Sequence, residues 1–126
     1  MRQPVNASTA FLVGLAGASA VAFGAFGAHA LRGRVDADGL AIWHTGVEYH
    51  FWHALALFAA VLGLPSGRPR RATLVLFSIG IVVFSGSLYA LALGAPRWFG
   101  AITPIGGVAF IAGWIAAALS LRGNGL

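Results

Sequence analysis

Four long apolar blocks, separated by short polar connections, account for almost all of the 126 residues. The blocks lie at about residues 8–31, 40–64, 72–94 and 101–121. Each is close to the ~20 residues with which an α-helix crosses the hydrocarbon core of a bilayer. A transmembrane β-barrel would instead show segments of about 10 residues with alternating polarity, whereas these runs are continuous. The pattern predicts an all-α fold: one integral membrane domain, residues 1–126, built as a bundle of four transmembrane helices.

Residues that favour turns separate the blocks and predict where the helices end. Pro65 and Gly67 follow the second block, and Pro96 follows the third. Asp38 and Gly39 precede the second block, so we expect them to form the turn and the N-cap at which that helix begins.

The composition supports a membrane location and argues against other classes of protein. The chain is 59% hydrophobic and only 9% charged, with a mean hydropathy of +0.85, whereas soluble domains carry about 25% charged residues. A pI near 11.5 would also suit a nucleic-acid-binding protein, but the basic residues are arginines spread between apolar blocks. We therefore expect no nucleic-acid partner. Because the chain has no cysteine, disulfides and thiolate metal sites are excluded.

The arginines predict the orientation of the bundle in the membrane. With four spans, five arginines share a side with both termini and three lie opposite: Arg2, Arg68, Arg70, Arg71 and Arg122 against Arg32, Arg34 and Arg97. Because cytoplasmic flanks carry more arginine and lysine, we expect both termini in the cytoplasm. A signal peptide cleaved near residues 28–30 is the alternative, but the first apolar run exceeds the ~7–15 residues of a signal h-region.

Small residues recur at four-residue spacing in the first block, as in Gly14-x-x-x-Ala18. Such spacing lets helix backbones approach closely, which matters in lipid because burial from water no longer drives helix association. We therefore expect a tight bundle rather than a channel. The glycines expected at helix contacts are Gly24, Gly27, Gly86, Gly106 and Gly107.

The second block carries an unusual concentration of titratable side chains, in the stretch HTGVEYHFWHALAL (44–57). It holds Glu48, one of three acidic residues in the chain, and three of the four histidines. Ionisable groups are costly inside a membrane, and by default they indicate function. At 100° per residue, His44 and Glu48 share one helix face, whereas His50 and His53 lie on another.

The polar side chains within the predicted spans lie mostly in the half of the membrane opposite the termini. We expect Glu48, His44, His29 and Tyr89 to form an outward-facing polar cluster, in which Glu48 binds a proton or orients a ligand. A purely structural carboxylate is the alternative. For His53, near the midplane, we expect a neutral hydrogen bond between helices, with a role in ligand or proton binding as the alternative.

The histidines also leave two cofactors open. Haem could be held between His29 and either His50 or His53 on facing helices, and zinc could take His29, His44 and Glu48 as three ligands. Neither pattern is specific, so we assign no metal. Ser85 and Ser87 lack the flanking residues of known serine nucleophiles, and we expect no catalytic site.

Four motifs in order along the chain carry a resemblance to a known family: FGAFGAH (23–29), WHTGVEYHFWHALAL (43–57), FSGSLYALAL (84–93) and ITPIGGVAFIAGW (102–114). They closely resemble the YgdD-like family of small inner-membrane proteins, also called domain of unknown function 423. The resemblance implies a multi-pass protein of the bacterial inner membrane with no assigned activity. His53 matches the family's histidine, but His50 stands where we expect glutamine, which makes His50 the weaker candidate for a functional role.

These observations favour a non-enzymatic accessory or binding protein that holds a lipid, a quinone or a partner helix in the outward-facing cluster. The alternative is a redox or transport protein in which Glu48 and the histidines carry protons or hold haem. We expect membrane lipids as partners, with a homo-oligomer or another membrane protein also open.

Overall fold

The computed structural model describes residues 5–123, so Arg2 lies outside the described residues. Helices form nearly all of this range, with no β-strand among the described elements. The elements are α1 (Ala7–His29), α2 (Ala37–Gly63), α3 (Arg68–Gly80), a π-helical segment (Ile81–Ser85), α4 (Gly86–Ala92), a 3₁₀ segment (Arg97–Ala101) and α5 (Thr103–Gly123). The all-α prediction is confirmed for the described residues.

Side-chain caps fix where the first two helices begin. The Asn6 side chain accepts a hydrogen bond from the Thr9 amide at 2.8 Å, and the Asp36 side chain accepts one from the Gly39 amide at 2.8 Å. Each bond satisfies an amide that has no partner inside its helix. The N-cap of α2 is thus Asp36 rather than the expected Asp38, which lies within the first turn.

The third apolar block forms one continuous helix of 25 residues, Arg68–Ala92, in which the π-helical segment joins α3 to α4. The π turn is wider than an α turn, and such turns are often found at functional sites. Within it, Ser85 is completely buried and donates a 2.7 Å hydrogen bond to the carbonyl of Gly46 in α2. The neighbouring Phe84 backbone lies against Gly106 of α5. The segment therefore contacts two helices at once.

Within residues 5–123, three helices rather than the expected four are long and apolar enough to cross a membrane: Ala7–His29, Arg68–Ala92 and Arg97–Gly123. The helix of the second block, α2, is long enough at 27 residues, but it falls short in hydropathy. The reason lies in its composition, because Glu48 and three histidines interrupt its apolar residues.

The helices pack as an antiparallel bundle with α2 at its centre. α2 contacts α1, α3 and α4, while α5 packs chiefly on α3. One core cluster includes the fully buried Leu57 and Phe77, and a second surrounds Trp43 and Tyr89. Large apolar side chains also cover the outside of the bundle, as at Phe11, which is 70% exposed. Such an apolar exterior is what a bundle surrounded by lipid requires.

The glycines differ in how closely neighbouring helices approach them. A Cβ at Gly27 would overlap the ring of Trp43, and one at Gly106 would overlap the backbone of Phe84. A Cβ at Gly24 would lie 3.4 Å from Val47, and one at Gly107 would lie 3.8 Å from the ring of Phe84.

Two further observations correct the expected set of packing glycines. Around Gly86, no atom of the other described elements lies within 4 Å of the position that a Cβ would take, so this glycine is not a helix contact. Close approaches occur instead at Gly46, where a Cβ would lie 2.8 Å from the ring of Tyr89, and at Gly80, against Phe110.

Candidate functional site

The expected polar cluster is centred where α1 ends and α2 begins. His29 is the last residue of α1, and His44 and Glu48 occupy the second and third turns of α2. His44 Nε2 lies 3.8 Å from a Glu48 carboxylate oxygen, so the two form an ion pair when the imidazole is protonated. Their side chains are 74% and 43% exposed. The pair therefore lies on the outer face of α2 and not inside the bundle.

A pocket of about 490 Å³ opens between α1 and α2 at this end of the bundle. Its floor is apolar, formed by small residues of α1 and by Leu40 and Val47 of α2. Its polar residues are His29, Arg32 and His44. Arg32 is the only permanently charged side chain among the lining residues, and Glu48 does not line the pocket.

Trp43 forms one wall of this pocket and is held rigidly. Its indole Nε1 donates a 2.8 Å hydrogen bond to the carbonyl of Phe23, and its ring packs on that of Tyr89 with centroids 4.4 Å apart. The ring also fills the space left by Gly27. The wall between the pocket and the bundle interior is thus fixed by packing and by one hydrogen bond.

We expected Tyr89 to lie in one cluster with Glu48, and this prediction is wrong. Tyr89 lies inside the bundle beside His50. The Tyr89 hydroxyl is 2.8 Å from His50 Nδ1, and Ser19 Oγ is 2.9 Å from His50 Nε2. His50 is 2% exposed. Its imidazole therefore joins three helices, α1, α2 and α4, through two side-chain hydrogen bonds.

The donors and acceptors of this buried network can be assigned by starting from Ser19, which lies at one end of it. Ser19 has a single hydroxyl hydrogen, which it donates to the Ala16 carbonyl at 3.1 Å. Ser19 must then accept from His50 Nε2, and His50 Nδ1 must accept from the Tyr89 hydroxyl. Every polar atom of the network is satisfied with a neutral imidazole, as a low-dielectric interior requires.

His53 forms a second, separate network toward α5. Its Nδ1 donates to the carbonyl of Tyr49 at 2.8 Å, and its Nε2 accepts from Trp114 Nε1 at 3.1 Å. Its ring stacks on Phe110, with centroids 3.6 Å apart. This imidazole is also neutral and fully hydrogen-bonded.

The geometry bears on both cofactors that the sequence left open. Both ring nitrogens of His50 and of His53 are engaged, so axial ligation of haem by either would break a buried hydrogen bond. Within residues 5–123, no group of three or more histidine, aspartate or glutamate side chains is arranged to hold a metal ion. The arrangement is that of two hydrogen-bonded histidines in the core and a polar-rimmed pocket at the end of α1.

Sequence reasoning undervalued His50, because glutamine was expected at its position. The signal that it missed is chemical: histidine and glutamine can each offer one donor and one acceptor. Its partners Ser19 and Tyr89 lie 31 and 39 residues away along the chain. Spacing within one helix therefore gave no indication of them.

Comparison with known proteins places the chain among membrane proteins of unknown function. Residues 23–107 match the family model described as protein of unknown function, DUF423. The chain is 49% identical over 100 residues to the UPF0382 membrane protein YwdK of Bacillus subtilis, covering 76% of this chain and 80% of that one. It is 41% identical over 115 residues to the UPF0382 inner membrane protein YgdD of Escherichia coli, covering 84% and 85% of the two chains.

A third relative, a UPF0382 membrane protein of Haemophilus influenzae, is 44% identical over 108 residues and is covered to 87% of its length. No solved structure matches the chain.

Proposed function

The chain belongs to the DUF423 family, and on that premise we propose that it is a non-enzymatic accessory protein of the bacterial inner membrane that binds an anionic phospholipid. The lipid headgroup is held in the pocket between α1 and α2. The observation that carries this proposal is the combination of an apolar floor with Arg32, His29 and His44 among the lining residues.

The chemistry of the lining matches the two parts of a phospholipid. A guanidinium presents N–H donors in a fixed fork that suits phosphate oxygens, and imidazoles add weaker donors. Acyl chains need an apolar surface, which the small residues of α1 and Val47 supply.

We further propose that α2 crosses the membrane as a fourth span, with both termini in the cytoplasm. Its hydropathy is lowered by polar side chains, but His50 and His53 are buried and hydrogen-bonded within the bundle. The other acidic and histidine side chains of α2 are Asp38 in its first turn and the His44–Glu48 pair on its outer face, all within ~20 Å of its N-terminus. The asymmetry of the arginines supports the orientation, as does the description of the E. coli relative as an inner membrane protein.

The lipid proposal is tested by native mass spectrometry of protein purified in detergent and mixed with phosphatidylglycerol or phosphatidylcholine. Arg32→Gln should reduce retained phosphatidylglycerol several-fold, because a charge-assisted bond to phosphate is lost. Arg34→Gln is the matched control, since Arg34 belongs to the same connection but does not line the pocket. Equal retention of the two lipids, or equal losses in the two variants, would contradict the proposal.

A further inference from the structure

A second cleft, between α2 and α5, opens on the outer surface of the bundle about halfway along these helices; Trp52 and Trp114 on its rim are each 53% exposed. This cleft has a volume of about 600 Å³. Six of its lining residues carry rings: Tyr49, Trp52, His53, Phe84, Phe110 and Trp114. Gly107 also lines it and keeps it open, because a side chain there would project toward Phe84.

Three of the six rings, those of Tyr49, His53 and Phe110, lie in nearly parallel planes, whereas Phe84, Trp52 and Trp114 are inclined to them by 46–66°. The rings of His53 and Phe110 are 13° apart, and those of Tyr49 and Phe110 are 19° apart with centroids separated by 6.2 Å. Parallel rings of this kind offer flat faces on which another flat ring can stack. The shape of the cleft thus favours a planar ligand over a flexible acyl chain.

Two donors that line the cleft have no protein acceptor. Among residues 5–123 no hydrogen bond is found for the Tyr49 hydroxyl or the Trp52 indole N–H, whose rings pack 5.1 Å apart; Tyr49 is half-buried and Trp52 is 53% exposed, so both donors lie toward the surface of the bundle. Inside hydrocarbon an unpaired donor is costly, because no water replaces the missing acceptor. A ligand of the cleft should therefore bring acceptors and not donors.

The depth of these two donors in the membrane limits which chemical groups can serve as their acceptors. Tyr49 and Trp52 lie at the middle of α2, which spans Ala37–Gly63, so in the proposed four-span arrangement they lie near the centre of the ~30 Å hydrocarbon core. The ester carbonyls and phosphates of phospholipids belong to the polar interfacial region outside that core. A carbonyl group reaches this depth only on a ring that is itself carried by an apolar tail.

We infer that this cleft is a binding site for a membrane quinone: a flat ring with two carbonyl oxygens on an apolar chain. The ring stacks against the parallel rings of Tyr49 and Phe110, with the edge of Phe84 beside it, and its carbonyl oxygens accept from the Tyr49 hydroxyl and the Trp52 N–H. The inference rests on the proposed crossing of α2, but it is independent of the lipid pocket.

The test is a titration of the full-length protein in detergent micelles with a decyl-substituted benzoquinone, followed by quenching of tryptophan fluorescence. Trp52 and Trp114 line the cleft, so a bound ring should quench them in a saturable manner. Gly107→Leu should weaken the apparent affinity at least tenfold by filling the cleft. Tyr49→Phe should weaken it about fivefold, since it removes one hydrogen bond and keeps the ring.

Two control variants show whether the quenching comes from binding in this cleft. Gly14→Leu makes the same substitution where nothing lies within 4 Å of the added Cβ, and Arg32→Gln alters only the lipid pocket. Both should bind the quinone as the parent protein does. Circular dichroism shows whether each variant is folded, and Tyr49→Phe remains informative if Gly107→Leu does not fold.

Three outcomes would overturn the inference. Quenching that rises linearly with quinone would show partition into the micelle only, and equal affinity in Tyr49→Phe and the parent would remove the proposed hydrogen bond. A phospholipid with brominated acyl chains is the third probe. If the brominated lipid quenches the parent protein more than Gly107→Leu, while the quinone quenches the two proteins equally, the cleft holds an acyl chain.

Discussion

At the level of single residues, the histidines of α2 differ in what surrounds them. His50 is 2% exposed and bonded to side chains of two other helices, whereas the side chain of His44 is 74% exposed. The two residues have the same chemistry and lie on the same helix. They therefore form a natural pair for measuring what burial and hydrogen bonding contribute to stability.

We expect His50→Leu to destabilise the folded bundle by about 1–3 kcal/mol, because it leaves the buried Tyr89 hydroxyl without its acceptor. His50→Gln should destabilise the bundle less than His50→Leu does, since an amide again offers a donor and an acceptor. His44→Leu is the matched control and should leave stability nearly unchanged. Thermal unfolding in detergent, followed by circular dichroism, measures all three, and equal losses in His44→Leu and His50→Leu would refute the assignment.

Part of this residue-level picture could be predicted from the sequence. Helical spacing predicted that His44 and Glu48 share a face and that His53 lies on another, and the structure has both features. Which face points into the bundle could not be predicted, because it depends on side chains supplied by other helices. For that reason Tyr89 was expected beside Glu48, whereas it lies beside His50.

At the level of helices, stability depends on a few positions where one backbone meets another. At Gly106 the neighbour is the backbone of Phe84, in the π-helical segment, whereas at Gly27 it is the side chain of Trp43. A side chain can rotate away from a new methyl group, but a hydrogen-bonded backbone can yield only by moving the helix. Gly106 should therefore be the less tolerant position.

We expect Gly106→Ala to lower the free energy of unfolding by about 1–3 kcal/mol, through forced separation of α5 from the π-helical segment. Gly86→Ala is its control, because nothing from the other described elements lies near a Cβ at that position. Alanine is also the better helix former, by about 1 kcal/mol, so Gly86→Ala should be neutral or slightly stabilising. Equal destabilisation by the two substitutions in detergent unfolding would show that backbone contact at Gly106 is unimportant.

The extents of the helices were largely readable from the sequence, but their irregularities were not. The first block was expected at about 8–31, and α1 is Ala7–His29; the second was expected at about 40–64, and α2 is Ala37–Gly63. Apolar runs and turn residues mark such limits directly. The π-helical segment has no comparable local signal, since it is accompanied by contacts to Gly46 and Gly106 on other helices.

At the level of the whole molecule, the question is whether α2 crosses the membrane. In the part of the chain that the structure describes, three helices meet the length and hydropathy of a span by themselves, and α2 does not. Its two buried histidines are bonded to the other helices, so the bundle supplies the partners that lipid cannot. The proposed fourth span thus depends on its neighbours in a way that the other three do not.

Single cysteines placed in a chain that has none of its own can test this topology. We expect Ala37→Cys, at the exposed start of α2, to react with a membrane-impermeant maleimide in intact cells. Ser66→Cys, in the connection after α2, should react only after the cells are permeabilised. Ala37 is chosen over Asp36 because the Asp36 side chain caps α2. Labelling is read by the mass shift on a gel.

The other labelling patterns each have a definite meaning. If both cysteines react in intact cells, α2 stays on the outer side and the four-span proposal fails. If only Ser66→Cys reacts, the bundle is inverted and the positive-inside argument does not hold for this chain.

The two buried hydrogen-bond networks have a spectroscopic consequence. Each ends at a backbone carbonyl, Ala16 for His50 and Tyr49 for His53, and a carbonyl can only accept. The first network therefore places the ring hydrogen of His50 on Nε2, while the second places that of His53 on Nδ1. Two histidines less than one helical turn apart should thus be opposite tautomers. In ¹⁵N-labelled protein, the unprotonated nitrogen resonates well downfield of the protonated one, so the pattern of Nδ1 and Nε2 shifts should be inverted between the two rings. Identical patterns would mean that at least one network runs in the other direction.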